Sequence, residues 1–351
     1  MDLISAYANG VSELTNFSEY LERAPLIVDV IVNPHAGFFK RRPSLEKMLL
    51  ELEQKLAELR QRFPRRKVEI NRVHFTEHPG HARTITEEIM NAEERAGSGI
   101  EHLLIGCGGD GTSNEICTAL VNAGGSLLER LKLLRLPLGT GNDVADAATF
   151  GAAYELILGS QRTKKTGALL VAPAGAGPRY SFNIASLGLD AYIAHLTNRF
   201  KRAIPGDAYK TLVDVGSLFY EQRVKPTIMD IRLSGVGGRE TRFDGFLPLM
   251  IIVGISGGRT YGGHIPALPG DENVCVVAHM HVMARIRNKK LFYEGRHGEL
   301  PETSFHHASR VDIDYRGAIP MQLDGELIWL QPTDFPLSLQ VLEPKIKILA
   351  H

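Results

Sequence analysis

The chain has 351 residues, a length that accommodates about two domains. Hydrophobic residues make up 44% and charged residues 23%, enough apolar material for sizeable cores, and the 40 Lys and Arg balance the 40 Asp and Glu. That balance argues against a nucleic-acid binder, which carries a basic excess, and against a grip on membranes by charge alone. Cys107, Cys117 and Cys275 show no paired spacing, which argues against a disulfide framework or zinc site and points to the cytoplasm. The opening MDLISAYANG lacks the basic head and apolar run of a signal peptide, and no stretch approaches the ~20 apolar residues of a membrane span.

In chain order, residues 1–25 read as a leader of mixed polarity. The run 27–32 predicts a strand that stops at Asn33-Pro34-His35-Ala36-Gly37. Leu45, Met48, Leu49, Leu52, Leu56 and Leu59 follow at helical spacing. A strand over 68–75 leads through Thr76-Glu77-His78-Pro79-Gly80-His81 into a helix reaching about 92. The strand 102–105 enters a glycine turn, a helix covers 113–122, and the strand 133–138 ends in Gly139-Thr140-Gly141-Asn142-Asp143. Strands alternating with helices predict a mostly parallel α/β sheet, with ligands beyond the carboxyl ends of its strands. All four loops of unusual composition fall there. Beyond about 160 the runs 169–172, 180–185, 227–233, 247–255, 274–282 and 311–315 are β-rich, with 191–220 helical or mixed. The fold class expected is α/β plus all-β: an N-terminal parallel α/β domain over 26–160, and a C-terminal antiparallel β-sandwich over 161–334. Residues 335–351 could complete the first domain.

The segment Gly106-Cys107-Gly108-Gly109-Asp110-Gly111-Thr112 joins a buried strand to a helix through four glycines. Glycine permits positive φ and close approach of a ligand, and the following helix aims its N–H groups and dipole at the turn, a phosphate-binding arrangement. Thr112 and Glu115 fit a capping box. Gly106, Gly108 and Gly111 match a dinucleotide pattern, but the next strand ends in a second glycine turn rather than an acidic residue. No Gly-Lys-Ser/Thr sequence marks a Walker A loop. Asp110 would repel phosphates unless it meets Mg²⁺ or accepts a proton; the plainer reading is an Asp that stabilises the turn.

Here the resemblance becomes specific. Gly108 to Thr112 resembles the GGDGT signature of the diacylglycerol kinase and sphingosine kinase catalytic-domain family, in its soluble bacterial lipid-kinase group. Asn33 to Gly37, Thr76 to Ala82, Gly139 to Asp143, Asn183 to Ala191 and Asp324-Gly325-Glu326 resemble further motifs of that family, all in the same order. The resemblance implies a diacylglycerol kinase-like fold, related to that of NAD kinases, and an ATP- and Mg²⁺-dependent lipid kinase. It implies ATP contacts at Asn33, Pro34, Gly37, Thr76, Gly108, Gly109, Asp110, Gly111, Thr112, Asn114, Glu115, Gly139, Thr140 and Asn142. Catalytic roles fall on Asp110, Asp324 and Glu326, with the general base left open among them, and acceptor binding on Asp143 and Asp190. The family's accessory metal segment reads Pro266 to Asn273 here, and Asp271 is its remaining metal candidate; Glu272 stands where glycine is usual.

The partners implied are a lipid alcohol, such as a diacylglycerol or a sphingoid base, at a membrane surface, and no nucleic acid. A homodimer is left open. The location implied is cytoplasmic, with peripheral membrane association during turnover. An NAD kinase-like enzyme and a non-catalytic nucleotide- or lipid-binding module remain the alternatives. His279-x-His281 could place two imidazoles on one strand face but offers no third metal ligand. Arg285, Arg287, Lys289 and Lys290 form a basic run that is either solvated surface or a headgroup contact.

Overall fold

The computed structural model describes residues 2–18, 26–63, 68, 70–96, 99–123, 127–139, 145–159, 162–200, 216, 218–261 and 265–350. Two compact units result, Met1–Thr166 with Pro344–His351, and Gly167–Glu343.

The first unit holds a six-stranded sheet. Its strands are β1 (Leu26–Val32), β2 (Ile70–Phe75), β3 (Glu101–Gly108), β4 (Leu131–Pro137), β5 (Arg162–Thr166) and the chain's last strand, β20 (Ile346–Ala350). The order is β2-β1-β3-β4-β20-β5, parallel from β2 to β20, with β5 antiparallel at the edge. Parallel strands are covered on both faces, so they read as continuous apolar runs; every residue of β1 is buried. The returning β20 puts the sheet's completion in residues 344–351, while β19 (Leu337–Val341) belongs to the second unit.

Helix α1 (Leu3–Leu14) lies where the sequence reads as a leader. Asp2 caps it through the Ile4 N–H at 2.9 Å, and Tyr7, Ala8, Val11 and Leu14 are fully buried. Gly10 hides this helix from a composition reading. A Cβ there would meet Leu52 of α2 (Arg42–Arg62) at 2.8 Å, so the glycine is what allows the two helices to approach.

A charged cluster interrupts the apolar sheet. Asp29, fully buried in mid-β1, accepts from Arg72 at 2.7 Å to each oxygen and pairs with His74 at 2.6 Å and His102 at 2.8 Å. Arg72 also reaches Glu93 at 2.9 Å. Burial alone would raise the Asp29 pKa, but the bonds from His102, His74 and Arg72 together hold it far below the usual carboxylate range. A buried carboxylate of this kind is tolerated only because its partners are complete.

The second unit is antiparallel. One sheet runs β10 (Glu240–Phe246), β9 (Met229–Ser234), β16 (Arg310–Asp314), β19, β6 (Leu169–Pro173) and β7 (Arg179–Ser181). The other runs β15 (Thr303–His306), β14 (Val274–Ala278), β11 (Pro248–Gly254), β8 (Ile184–Gly188), β17 (Ile319–Leu323) and β18 (Glu326–Leu330). A small pair, β12 (Arg259–Tyr261) and β13 (Ile265–Leu268), stands apart. Along β9, Met229, Ile231 and Leu233 are buried while Asp230 and Arg232 are exposed, the period of a sandwich strand. Residues of both large sheets, such as Leu339 and Ile251, share one core. The expected α/β plus antiparallel sandwich is the fold observed. Within 191–220, a helix spans Leu189–Phe200 and a second helical stretch covers 218–224, while 201–215 and 217 lie outside the described residues.

Candidate active site

In the first unit, backbone and side-chain bonds tie the strand-end loops together. Asn33 N–H donates to the Cys107 carbonyl at 2.9 Å, and its Nδ2 donates to the Thr112 hydroxyl at 2.9 Å. The Thr76 N–H donates to the Val32 carbonyl at 2.9 Å. Glu115 accepts from the N–H groups of Gly80 at 2.8 Å and Ala82 at 3.0 Å. A Cβ on Gly109 would come within 3.3 Å of the Gly139 Cα. Loops distant in sequence therefore form one surface at the carboxyl ends of β1–β4, the place where such sheets bind ligands.

Two details differ from the sequence expectation. Helix α4 (Asp110–Asn122) starts three residues earlier than expected, with Gly109 at the N-cap and no side-chain cap. The Thr112–Glu115 capping box is absent, because Thr112 is engaged by Asn33 and Glu115 caps the start of helix α3 (His81–Ala96) instead. Asp110 thus occupies the first helical position, where the dipole favours an acidic group, so its charge in a phosphate-type turn has a local reason. Nor does positive φ explain Gly108 and Gly109; neither has it. Gly108 is needed for space, since a Cβ there would lie 2.5 Å from the Thr112 Cβ.

Gly37 and Gly139 also line a polar depression with Arg41 and Thr149, two residues that carried no motif in the sequence. Asn114 lies half-buried in α4, its Oδ1 accepting from Thr118 at 3.3 Å. Thr140, Asn142 and Asp143 lie outside the described residues. The chain beyond them is fixed by a buried pair, Asp146 accepting from the Arg135 guanidinium at 2.7 Å and its N–H at 2.8 Å.

In the second unit the Asp-Gly-Glu segment is a two-residue hairpin loop between β17 and β18. Asp324 and Gly325 both have positive φ, 50° and 87°. The Asp324 carboxylate accepts from Ser181 Oγ at 2.6 Å and from the N–H groups of Phe182 at 2.7 Å, Asn183 at 2.9 Å and Ile184 at 3.2 Å. It clamps the β7–β8 connection to the hairpin. Glu326, one residue past the turn, is exposed.

Asp190 stands in the first turn of the helix Leu189–Phe200. Gly188 places it there, with φ +100° and a would-be Cβ 2.4 Å from the Leu249 carbonyl oxygen, so only glycine fits. Asp190 lines a mainly apolar cavity with Ile193, Ile252, Tyr261, Ile265 and Phe292. Its Oδ2 accepts from the Tyr261 hydroxyl at 2.9 Å, while Oδ1 is buried and completes no hydrogen bond. Burial pushes its pKa up to about 6, against the opposing bonds from Ser186 and Tyr261. A carboxyl group so perturbed within an apolar cavity is a mark of a functional site.

Asp271 is exposed in a turn packed on Gly257, whose Cβ would strike the Asp271 backbone at 2.4 Å. Among the described residues, no group of three or more His, Cys, Asp or Glu side chains is arranged to hold a metal ion. The His279-x-His281 pair is not on a strand. His279 pairs with Glu221 at 2.8 Å and His281 caps the helix Val282–Tyr293. Within the basic run, Arg285 is buried and ion-paired to Glu221, whereas Arg287 and Lys290 are exposed. No described helix is long and apolar enough to cross a membrane.

Residues 28–169 match the model of the diacylglycerol kinase catalytic domain. The chain is 34% identical over 131 residues to "Probable lipid kinase YegS-like" of Xanthomonas axonopodis pv. citri (strain 306), covering 36% of this chain and 42% of that protein. It is 31% identical over 172 residues to a protein of the same name from Enterobacter sp. (strain 638), covering 49% of this chain and 52% of that protein. The chain thus spans about two fifths to one half of the length of these relatives. A crystal structure of a diacylglycerol kinase from Bacillus anthracis str. Sterne shares the fold, with a TM-score of 0.56 at 17% identity over 93% of this chain and 97% of that one. The similarity to the diacylglycerol kinase catalytic domain thus covers residues 28–169, the stretch that holds the linked strand-end loops and the Gly108–Thr112 turn.

Proposed function

We propose that the protein is an ATP-dependent lipid kinase that phosphorylates the hydroxyl of a lipid alcohol. The observation that carries this reading is the second unit's apolar cavity, which presents one buried, incompletely bonded carboxyl, Asp190, in a chain with a diacylglycerol kinase catalytic domain. Apolar walls suit a lipid body, and a carboxyl suits a hydroxyl-bearing head.

The nucleotide is assigned to the strand-end surface of the first unit. Gly108 and Gly109 have no Cβ there, and the N-terminus of α4 offers N–H groups and a positive dipole end to phosphates. Asn33 and Glu115 hold the loops that frame it. A Mg²⁺ ion fits beside Asp110, a half-buried carboxylate on the phosphate-type turn, since this ion takes one or two carboxylates together with nucleotide phosphates. When bound, it neutralises charge on the β- and γ-phosphates. The first-turn N–H groups stabilise the charge that spreads over the transferring phosphoryl group.

Asp324 already accepts four hydrogen bonds, so its part is to hold the hairpin that carries Glu326. Accepting the hydroxyl proton is assigned to Glu326 or Asp110, whichever meets the acceptor. Asp271 and Asp143 keep their sequence-based assignments, to an accessory metal and to acceptor binding. Incubating the protein with labelled ATP, Mg²⁺ and a panel of lipid alcohols in mixed micelles tests the proposal. Label in a lipid phosphate supports it; label only in phosphorylated NAD would replace it with an NAD kinase.

A further inference from the structure

The cavity that holds Asp190 is walled on one side by the helix Val282–Tyr293, whose Arg285, Lys289, Phe292 and Tyr293 line it. These residues recur at the spacing of one helix face. Met283, Arg287 and Lys290 repeat that spacing two residues earlier, about 200° around the helix, and all three are exposed. The helix thus turns one face to the cavity and the opposite face to solvent.

Met283, on that outer face, is 64% exposed. Close before the helix, His279 pairs with Glu221 at 2.8 Å, and Arg285 pairs with the same carboxylate. These bonds hold the helical stretch 218–224 against the first turn of the helix Val282–Tyr293. Tyr220 and Val224 anchor that stretch in the core, whereas Leu218 and Phe219 are 48% and 47% exposed. Leu218, Phe219 and Met283 therefore present large apolar side chains to water on two adjoining helical stretches. Single exposed apolar residues need no explanation, but a group of them marks an interaction surface.

The charge around this group is one-sided. Basic and acidic residues balance over the whole chain, yet residues 218–225 and 281–296 carry seven Lys and Arg against two Glu. Both glutamates are matched, Glu221 by His279 and Arg285, and Glu294 by Lys290 and Arg296. Arg223, Lys225 and Arg287 are exposed and make up the surplus. A symmetric contact with a second copy would set these cations against their own equivalents. Apolar side chains among surplus cations suit an anionic lipid surface, where insertion and attraction to headgroups act together.

We propose that the stretch 218–225 and the outer face of the helix Val282–Tyr293 dock on a membrane of anionic lipid. Leu218, Phe219 and Met283 enter the interface, and Arg223, Lys225 and Arg287 meet the headgroups, beside the cavity that takes the acceptor. This rests on the lipid-kinase reading and gives the place where the protein meets its lipid.

The test is flotation of the full chain with vesicles of phosphatidylcholine alone and of equal parts phosphatidylcholine and phosphatidylglycerol. The proteins compared are wild type, the pair Phe219→Ser with Met283→Ser, and the pair Arg223→Ser with Arg287→Ser. Wild type is expected to bind the anionic vesicles, less so as salt rises. Removing two cations is expected to weaken that binding by at least about tenfold, at roughly fivefold for each. Removing the two apolar side chains is expected to cost about as much. Turnover of a short-chain diacylglycerol dispersed as monomers is expected to be unchanged in both variants, because the four side chains lie outside the cavity. Equal binding to both vesicle types, or binding unaltered by the substitutions, overturns the inference. So does a wild-type dimer that the apolar pair converts to monomers, which would give the face to a second copy. Turnover of the dispersed lipid then still supports the kinase reading. Anionic-vesicle binding with the expected losses, but no phosphoryl transfer to any lipid, keeps the surface and removes the kinase reading.

Discussion

Replacing Asp190 with Asn removes a charge from the apolar cavity and is expected to stabilise the second unit while lowering activity. The carboxyl pKa is 3.8 when solvated and about 6 in the folded protein. At ~1.4 kcal/mol per tenfold change in proton affinity, that gap is about 3 kcal/mol. Because the folded pKa is the higher one, the folded state holds a proton that the unfolded chain releases between about pH 4 and pH 6. Stability therefore falls as pH rises through this window, and the whole cost is present above it. Asn carries no such cost. The variant is expected to melt about 6–12 °C above wild type at pH 7.5, given ~2–4 °C per kcal/mol for a unit of this size. The difference should shrink towards zero near pH 4. Calorimetric melting of both proteins at half-unit pH steps checks this. A variant less stable than wild type by the same margin at every pH would refute the reasoning, since Asp190 would then be a satisfied structural partner.

Asp324→Asn places an amide N–H₂ against backbone donors, and at ~1–3 kcal/mol per unmet bond it should cost about 2–4 kcal/mol in urea unfolding; an unchanged midpoint with turnover reduced would instead make Asp324 the proton acceptor. Asp110→Asn should leave melting nearly unchanged, a loss of about 0.3–1 kcal/mol at the first helical position, while turnover falls at least ~10²-fold in the lipid assay. Gly108→Ala forces a Cβ to within 2.5 Å of Thr112 and should raise the KM for ATP while destabilising the first unit by about 1–3 kcal/mol, read by thermal shift with and without nucleotide. Asp29 has a depressed pKa, so its stabilising contribution is complete above about pH 4 and disappears as pH falls below that; Asp29→Asn should remove this acid sensitivity of the first unit.

The parallel sheet was legible because buried parallel strands are apolar throughout, as in Leu26–Val32, and because glycine turns mark their carboxyl ends. The loops that meet in the site could be named for the same reason. What those residues do was less legible. Glu115 was readable as its own helix's cap, yet it caps another helix, a choice made by the approach of Gly80 and Ala82. Asp324 reads as a catalytic carboxylate, and the four donors it accepts from, in the Ser181–Ile184 stretch about 140 residues earlier, had no signal in the sequence. Helix α1 was missed because Asn9, Gly10 and Ser12 dilute its apolar face, and Gly10 is there to admit Leu52.

The central claim is tested most directly by phosphoryl transfer from labelled ATP to a panel of lipid alcohols, with NAD in parallel and with Asp110→Asn and Asp190→Asn as controls. The account predicts label in a lipid phosphate ester, at least ~10²-fold less with Asp110→Asn, and markedly less with Asp190→Asn although that protein remains folded. Label in NAD alone, or undiminished lipid phosphorylation by both variants, would contradict it.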